Sequence, residues 1–525
     1  MLVSPNLFSF YFTITLLVIL IVFILKYFIK IYRRDPRLVQ FAETIPGPPE
    51  SSIFGSFADF VYGEDSLKKA ARYFEKYGHI YKLWFGKHLV VGLSKLEDLE
   101  VVFMCSKMLG KPEMFAPFHD FWGDGLFTAS DHQSMIIETV VDIWKKNRKK
   151  LTSAFGNNRF ERYTAPINEK TSNAIEIIRN QVDGPEFNIW NHLSFLSFDI
   201  ISKLMLNVEL SWGHPLSTQF HQSMAKGLQI SYERMCIPWF HVKFISDFYY
   251  KKQITDIKTK ILQFSKKILD DKMSYITNEI LLHKENPDKI PADEIPPKSF
   301  LTSAYELLNE GYDEHVVHDE IINIISGGTN TTASMLGFFL LAVAIHQDVQ
   351  VKIYDELYEI FGDSDRDAEF EDIKRLPYFD QVLKEALRRF PLVPFVLRGV
   401  QEDCKIGDRV FPAGTTIMVS IGAVHFNPQF YPDPWKFNPD NFSPAAVQNR
   451  PKLAYIPFSV GARNCIGQNY AIFELKLILS TLLRKFSFHT TMTMNDIKLN
   501  TGFVIDVLNG YNLSLKTRVR KPSYF

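Results

Sequence analysis

Ten residues, Phe458-Ser459-Val460-Gly461-Ala462-Arg463-Asn464-Cys465-Ile466-Gly467, place a cysteine on a glycine-hinged loop directly ahead of an apolar run. A free cysteine ordinarily packs as a small, inert hydrophobe. Its neighbours here favour a thiolate. Gly461 and Gly467 permit backbone conformations and close approaches that a side chain forbids. Arg463 puts a permanent cation two residues from the sulfur. Ala471 to Leu479 reads as a helix whose partly positive N-terminal end lies nearby. A thiolate so placed is a candidate metal ligand.

Three further groupings could serve such a centre, and each has a plainer reading. Trp144 and Arg148 stand one helical turn apart and can face one partner; alone they are part of a solvated basic helix. Gly327-Gly328-Thr329-Asn330-Thr331-Thr332 interrupts a long helical pattern from Asp313 to His346, for which Asp313 is the candidate N-cap. Glycine inside a helix costs about 1 kcal/mol relative to alanine, so a close helix crossing or a ligand must compensate. Glu385 and Arg388, at i and i+3, would be a modest surface ion pair on an ordinary helix.

Phe-x-x-Gly-x-Arg-x-Cys-x-Gly, complete at Phe458, Gly461, Arg463, Cys465 and Gly467, resembles the haem-binding signature of the cytochrome P450 family. The resemblance covers nearly the whole chain after the N-terminal segment, in order: proline-rich hinge, Trp-x-x-x-Arg, oxygen-groove helix, Glu-x-x-Arg, aromatic turn and cysteine loop. It implies a mainly α fold with small β-sheets, haem b with Cys465 as axial iron ligand, and a monooxygenase activity. A thiolate ligand pushes electron density toward bound oxygen and favours O–O cleavage.

By the same resemblance Trp144, Arg148 and Arg398 reach haem propionates, and Glu385 and Arg388 form a buried structural pair. Thr331 bonds across a local opening of the helix and helps to deliver protons. Phe127, Val393, Phe395, Val396 and Phe503 face substrate. The chain departs from the family at Asn330, where an acid is usual, since an amide cannot titrate. Asn441 stands where relatives often carry an arginine beside Glu385 and Arg388, so the third contact there must be neutral or different. The cysteine loop is most like the branch that includes fatty-acid omega-hydroxylases and many insect enzymes. The glutamate that esterifies haem in some of those would fall at Gly327, so covalent haem is not expected.

These residues need elements to hold them. The chain has 525 residues with no linker or repeat dividing its body, so one large catalytic domain, 51–525, is expected. Its 59 basic and 59 acidic residues balance, which gives no general case for nucleic-acid binding. Four scattered cysteines fit neither a disulfide framework nor a zinc site. Met1 to Leu25 carries no charged side chain, and Leu7 to Leu25 would span about 28 Å as a helix, enough to cross a bilayer. Residues 1–30 are therefore expected to be a membrane anchor. The apolar run is too long, and a basic n-region is missing, for a cleaved signal peptide. Lys26, Lys30, Arg33, Arg34 and Arg37 predict a single pass with the body in the cytosol, and the resemblance makes that membrane the endoplasmic reticulum. Residues 31–50 form a basic, proline-rich hinge with an elbow at Pro46-Gly47-Pro48-Pro49.

Along the body, Tyr81 to Val91 reads as a hairpin, and Phe187 to Lys284 as mostly helical with a break at Ile237-Pro238-Trp239. Relative to the family, about ten extra residues fall between Gly123 and Trp144. Asp348 to Phe361 is a helix stopped by Gly362. Strand-like runs lie between Asp403 and His425, and a hairpin turn is expected at Asn509-Gly510. Lys145, Lys146, Lys149 and Lys150 suit steering of an acidic electron donor. No flavin or nicotinamide motif is present in the chain, so the resemblance implies NADPH-cytochrome P450 reductase as partner, with cytochrome b5 as a second candidate, and O2 and a hydrophobic small molecule as substrates. A haem-thiolate isomerase acting on peroxides and a non-catalytic haem-containing binder of hydrophobic ligands are the alternatives. Retained Thr331 speaks against the first, and Asn330 lends the second slight support.

Overall fold

The computed structural model describes residues 5–49, 54–56, 58–61, 66–129, 140–209, 214–285, 298–500 and 502–518. The apolar N-terminal helix runs Pro5–Tyr32, past Lys26 and Lys30, and its portion Phe12–Tyr32 is long and apolar enough to cross a membrane. Tyr32 closes it against the body: the hydroxyl donates to the Pro238 carbonyl at 2.8 Å and the ring meets Phe54 edge-on at 5.8 Å. A short helix, Pro36–Glu43, follows. Proline suits its first position because that N–H would be unpaired anyway, and the Asp35 carboxylate accepts from the Arg37 N–H at 2.8 Å.

Two apolar cores organise the rest. The smaller lies around a four-stranded sheet in the order Ile80–Phe85, His88–Leu93, Thr416–Ser420, Phe395–Gly399. The first two strands make the expected hairpin, turning at Gly86 with φ +59°. His88–Leu93 and Thr416–Ser420 run parallel, with Val90 opposite Thr416. A parallel pair needs a crossover connection, and the helical body between them supplies it. Arg398 sits opposite Ile417 in this sheet, on the edge strand, one strand removed from the first hairpin.

The larger core is helical. Glu314–Ile345 runs through it, with Val317, Ile321, Ile325 and nearly every residue from Thr332 to Ala344 buried. Asp313 precedes it in an extended conformation, but its carboxylate makes no capping bond. Trp190–Leu206 crosses this helix, and the helices Pro215–Cys236 and Lys243–Glu285 meet at the expected break, Pro238–His241. Gln347–Phe361 stops at Gly362, φ +53°. The extra residues expected before Trp144 fall largely on 130–139, outside the described residues.

The strand-like runs expected between Asp403 and His425 form as Cys404–Ile406, Arg409–Phe411 and Thr416–Ser420. The last ends at Ser420, whose hydroxyl accepts from the Ala423 N–H at 3.1 Å and starts a helical turn, Ile421–His425. One local expectation is corrected: Asn509-Gly510 does turn, with the Gly510 N–H donating to the Val507 carbonyl at 3.1 Å, but the hairpin closes earlier, at the antiparallel bridge between Leu499 and Val507. Asn500 closes it early, donating its N–H to the Asp506 carbonyl at 3.0 Å and accepting the Asp506 N–H on its side chain at 2.9 Å. Gly510 then leads into the strand Asn512–Thr517, which pairs with Phe486–His489.

Candidate active site

The cysteine loop is folded onto itself. The Cys465 N–H donates to the Phe458 carbonyl at 2.9 Å, and the Asn464 N–H to Gly461 at 3.1 Å. Gly461 has φ +80°, and a Cβ there would collide with the Phe103 carbonyl, so the loop tolerates no side chain at that hinge. The helix Gln468–Lys485 starts directly after Gly467.

Cys465 is an exposed residue on this loop, and desolvation by the surrounding protein pushes its thiol up. The Gly467 N–H and the Arg148 cation pull the other way. The expected helix start and cation are thus both present, but the cation is Arg148 rather than Arg463, and burial outweighs them. Arg463 is used elsewhere. Its guanidinium lies 3.8 Å above the Trp144 ring and donates to the carbonyls of Leu109 at 3.0 Å and Ala129 at 2.7 Å. A bound metal cation reverses the thiol's balance, because a coordinating thiol is deprotonated outright.

Trp144 and Arg148 do face the same region. Arg148 donates to the Asn464 side chain at 2.6 Å, and the buried Trp144 indole donates to the Leu126 carbonyl at 3.0 Å. Of the neighbouring lysines, Lys145 pairs with Asp142 and Lys150 with Glu310, which trims the expected positive patch. Arg398 is 4% exposed, and among the described residues its only hydrogen bond runs to the Leu397 carbonyl at 3.0 Å. Burial lowers its pKa to about 10. Lys111, which the sequence gave no reason to single out, joins it. The ammonium lies 4.6 Å over the Phe115 ring and is pushed well below the usual lysine range by burial, then by Arg398 and Arg463. Crowded, desolvated cations around a carboxylate-free guanidinium are unfavourable alone and favourable around an anion. Haem propionates meet that need, so these residues fit the group the cysteine loop calls for.

The paired glycines divide the two readings of the central helix between them. At Gly328 a Cβ would meet the Ile201 side chain at 2.8 Å, so this glycine lets Trp190–Leu206 cross closely. At Gly327 nothing lies within 4 Å. Gly327 is exposed midway along a helix that is otherwise mostly core, and Thr331, one turn further on, shares that face. The Thr331 hydroxyl donates to the Gly327 carbonyl at 2.6 Å. The Asn330 side-chain oxygen is buried with no protein partner among the described residues. Next to it Thr332 donates to Glu474 at 3.5 Å, a carboxyl that burial pushes up to about 8.

An aromatic cluster occupies one flank. Phe127 and Phe503 meet at 5.4 Å, with Phe115 and Phe118 stacked at 4.3 Å beside both. The central helix fixes this flank: Asn323 accepts the Phe127 N–H at 2.9 Å, Glu320 accepts the Leu126 N–H at 3.2 Å, and Ser326 accepts the Trp122 indole N–H at 2.8 Å. Burial raises Glu320 to about 8. Phe395 joins the larger core through Phe60, 6.1 Å away, and Val393 is half-buried in the bend just before that strand. Val396 packs on the smaller core, on the strand face that it shares with Arg398.

Behind the site, Glu385 and Arg388 are completely buried and doubly bonded, at 2.8 and 2.7 Å. Arg388 spends its remaining N–H groups on the carbonyls of His425, Pro434 and Lys436. The third contact is neutral: the Asn441 amide lies 3.3 Å from both Glu385 oxygens.

The cytochrome P450 family profile matches residues 45–511. This chain belongs to the cytochrome P450 family, and it is a P450 monooxygenase. It is similar to cytochrome P450 4g1 of Drosophila melanogaster, 28% identical over 93% of this chain and 91% of that one. Cytochrome P450 4c21 of Blattella germanica is 29% identical over 96% and 99%, and human cytochrome P450 4V2 is 27% identical over 87% and 86%. Family membership implies haem with cysteine thiolate ligation, a redox partner, O2 and a hydrophobic substrate.

Proposed function

We propose that this chain is a membrane-anchored monooxygenase that inserts one oxygen atom of O2 into a hydrophobic small molecule, a fatty acid, lipid-derived signal or xenobiotic, with electrons from a separate NADPH-dependent reductase. The observation that carries the reading is Arg398, a buried guanidinium with no carboxylate partner among the described residues, on a wall with Lys111 and Arg463, the latter borne by the same loop as Cys465. That wall suits two propionates. Cys465 is the residue to hold the iron of haem b, with Trp144, Arg148, Arg398, Phe458, Gly461, Arg463 and Gly467 framing it. When bound, the haem supplies oxygen activation and electron transfer.

The chain's own residues do the rest. Thr331 holds its hydroxyl against the Gly327 carbonyl and turns it to donate to or accept from water in the space beside Gly327. Asn330, whose buried side-chain oxygen has no protein partner among the described residues, orients that water without exchanging a proton of its own. Phe127, Phe503, Phe395 and Val393 exclude bulk water and receive the apolar part of the substrate, with Val396 on the propionate side. The helix Pro5–Tyr32 anchors the enzyme in the endoplasmic reticulum membrane as a single pass with the body cytosolic, because the flanking charges are basic. Reductase and cytochrome b5 are the electron donors this arrangement calls for.

The test is oxidation of a panel of fatty acids and other hydrophobic substrates by full-length protein reconstituted with reductase and NADPH. Product that requires reductase supports the reading. Rearrangement of a hydroperoxide without reductase would assign the isomerase instead, and ligand-induced spectral change without either reaction would assign the binder.

A further inference from the structure

Two cysteines with no role in the haem site have been brought together by the fold. Cys105 and Cys404 are 299 positions apart, and their Sγ atoms lie 3.6 Å apart, both residues half-buried and unbonded. A disulfide needs an S–S distance of about 2.05 Å, so the sulfurs must close by about 1.5 Å. Cys105 is the extended residue after the helix Leu96–Met104, and Cys404 opens the three-residue strand Cys404–Ile406. Burial and the neighbouring Cys105 thiol push the Cys404 thiol up, and the Lys107 cation, ion-paired with Glu402 at 2.6 Å, opposes that shift.

We propose that Cys105 and Cys404 form a peroxide-responsive thiol pair, a modification site separate from the iron ligand. A hydroperoxide, ROOH, takes two electrons from one thiol, whose sulfur gains a hydroxyl as ROH leaves. The second thiolate attacks that sulfenic sulfur, the S–S bond forms, and the hydroxyl departs as water with the remaining proton. Hydrogen peroxide is the simplest such oxidant.

The bond would close onto a segment that already serves the cofactor wall. Between Cys105 and Pro112, the Lys107 carbonyl accepts from the Gln401 N–H at 3.3 Å and the Gly110 carbonyl from Gly399 at 3.0 Å. The Leu109 carbonyl holds Arg463, and Lys111 lies beside Arg398. A disulfide at its start staples that segment to the strand region 399–406, restraining the backbone that supports Arg463.

Full-length holoprotein is treated with a few equivalents of hydrogen peroxide, alkylated, and digested without reductant. The expected product is one peptide pair joining Cys105 to Cys404, lighter by about 2 Da than the two thiols together, with both alkylation sites lost and both restored by dithiothreitol. Amide exchange across 105–112 slows in the oxidised form. Cys404→Ser and Cys105→Ser, each retaining its haem spectrum, give no link, and the surviving thiol is trapped as a sulfenic acid by dimedone. Recovery of both cysteines as alkylatable thiols, their oxidation to sulfinic acids without a link, or a link between two chains overturns the pair. Unchanged exchange across 105–112 in the linked protein overturns the staple.

Discussion

Replacing Arg388 by lysine keeps the charge and removes the fork, which makes it a sharper probe of the buried pair than alanine. Arg388 makes five hydrogen bonds: two to Glu385 and one each to the carbonyls of His425, Pro434 and Lys436. Lysine offers three donors from a single point, so at least two of the five are lost in a site that is 0% exposed. Hydrogen bonds to a charged group are worth about 1.5–3 kcal/mol each, so Arg388→Lys should cost about 3–6 kcal/mol. With an unfolding entropy of about 2.1 cal/mol/K per residue, that lowers the thermal midpoint of the whole chain by about 3–5 °C. Arg388→Ala should do worse, since it strands the Glu385 carboxylate with only the Asn438 N–H and the Asn441 amide; breaking a buried pair costs about 3–5 kcal/mol, and the three carbonyls lose their donor as well. Loss of Soret absorbance on heating, compared at equal protein, reads the effect. A midpoint for Arg388→Lys unchanged from the parent would refute the claim that the fork, rather than the charge, holds its own helix, His425 and the 434–436 stretch together.

Other outcomes follow from the same geometry. Cys465→Ala protein should lack the thiolate Soret band in the reduced, carbon-monoxide-bound spectrum, and its persistence would unseat Cys465 as the ligand. Deleting Met1 to Lys30 should weaken sedimentation with membranes and leave haem content intact, because Tyr32 and its bond to Pro238 remain; haem loss in well-expressed truncated protein counts against an independent body. Asn330→Asp should raise product formed per NADPH consumed and Thr331→Ala should divert electrons to peroxide, with unchanged coupling in both removing this helix from proton delivery. Glu320, raised from 4.5 to about 8 by burial, contributes stability that is full below about pH 4.5 and lost as pH rises through about 8. Glu320→Gln should flatten the fall in thermal midpoint across that window, and an equally steep fall in the variant would show that another group causes it.

What was legible in the sequence was mostly what is local in the chain. The hinge at Gly461, the i, i+3 pair at Glu385 and Arg388, and the break near Pro238 each depend on residues a few positions apart, and each formed as read. The neutral contact at Asn441 was also foreseeable, because removing an arginine leaves only an amide to reach Glu385. What escaped was tertiary. Arg463 was expected beside its sequence neighbour Cys465, but a planar fork seeks several acceptors at once, and the fold offers it carbonyls at Leu109 and Ala129. Lys111 carries no motif, and only the convergence of Arg398 and Arg463 gives it meaning. Asn509-Gly510 makes its turn, but the hairpin closes ahead of it, where Leu499 pairs with Val507 and Asn500 with Asp506, pairings that no short motif encodes.

Gly327 and Gly328 are adjacent and chemically identical, yet the structure gives them opposite tolerance to change. A side chain at 328 has to displace Ile201, so variation there is paid in helix packing and the position is effectively closed. A Cβ at 327 meets no atom within 4 Å beyond its own helix and chain neighbours. Position 327 is therefore the one of the two at which added volume is expected to tell on the space beside Thr331 rather than on helix packing. A library restricted to that single residue, screened for which chain lengths are still oxidised, would change what the enzyme accepts without spending the stability that repacking a core usually consumes.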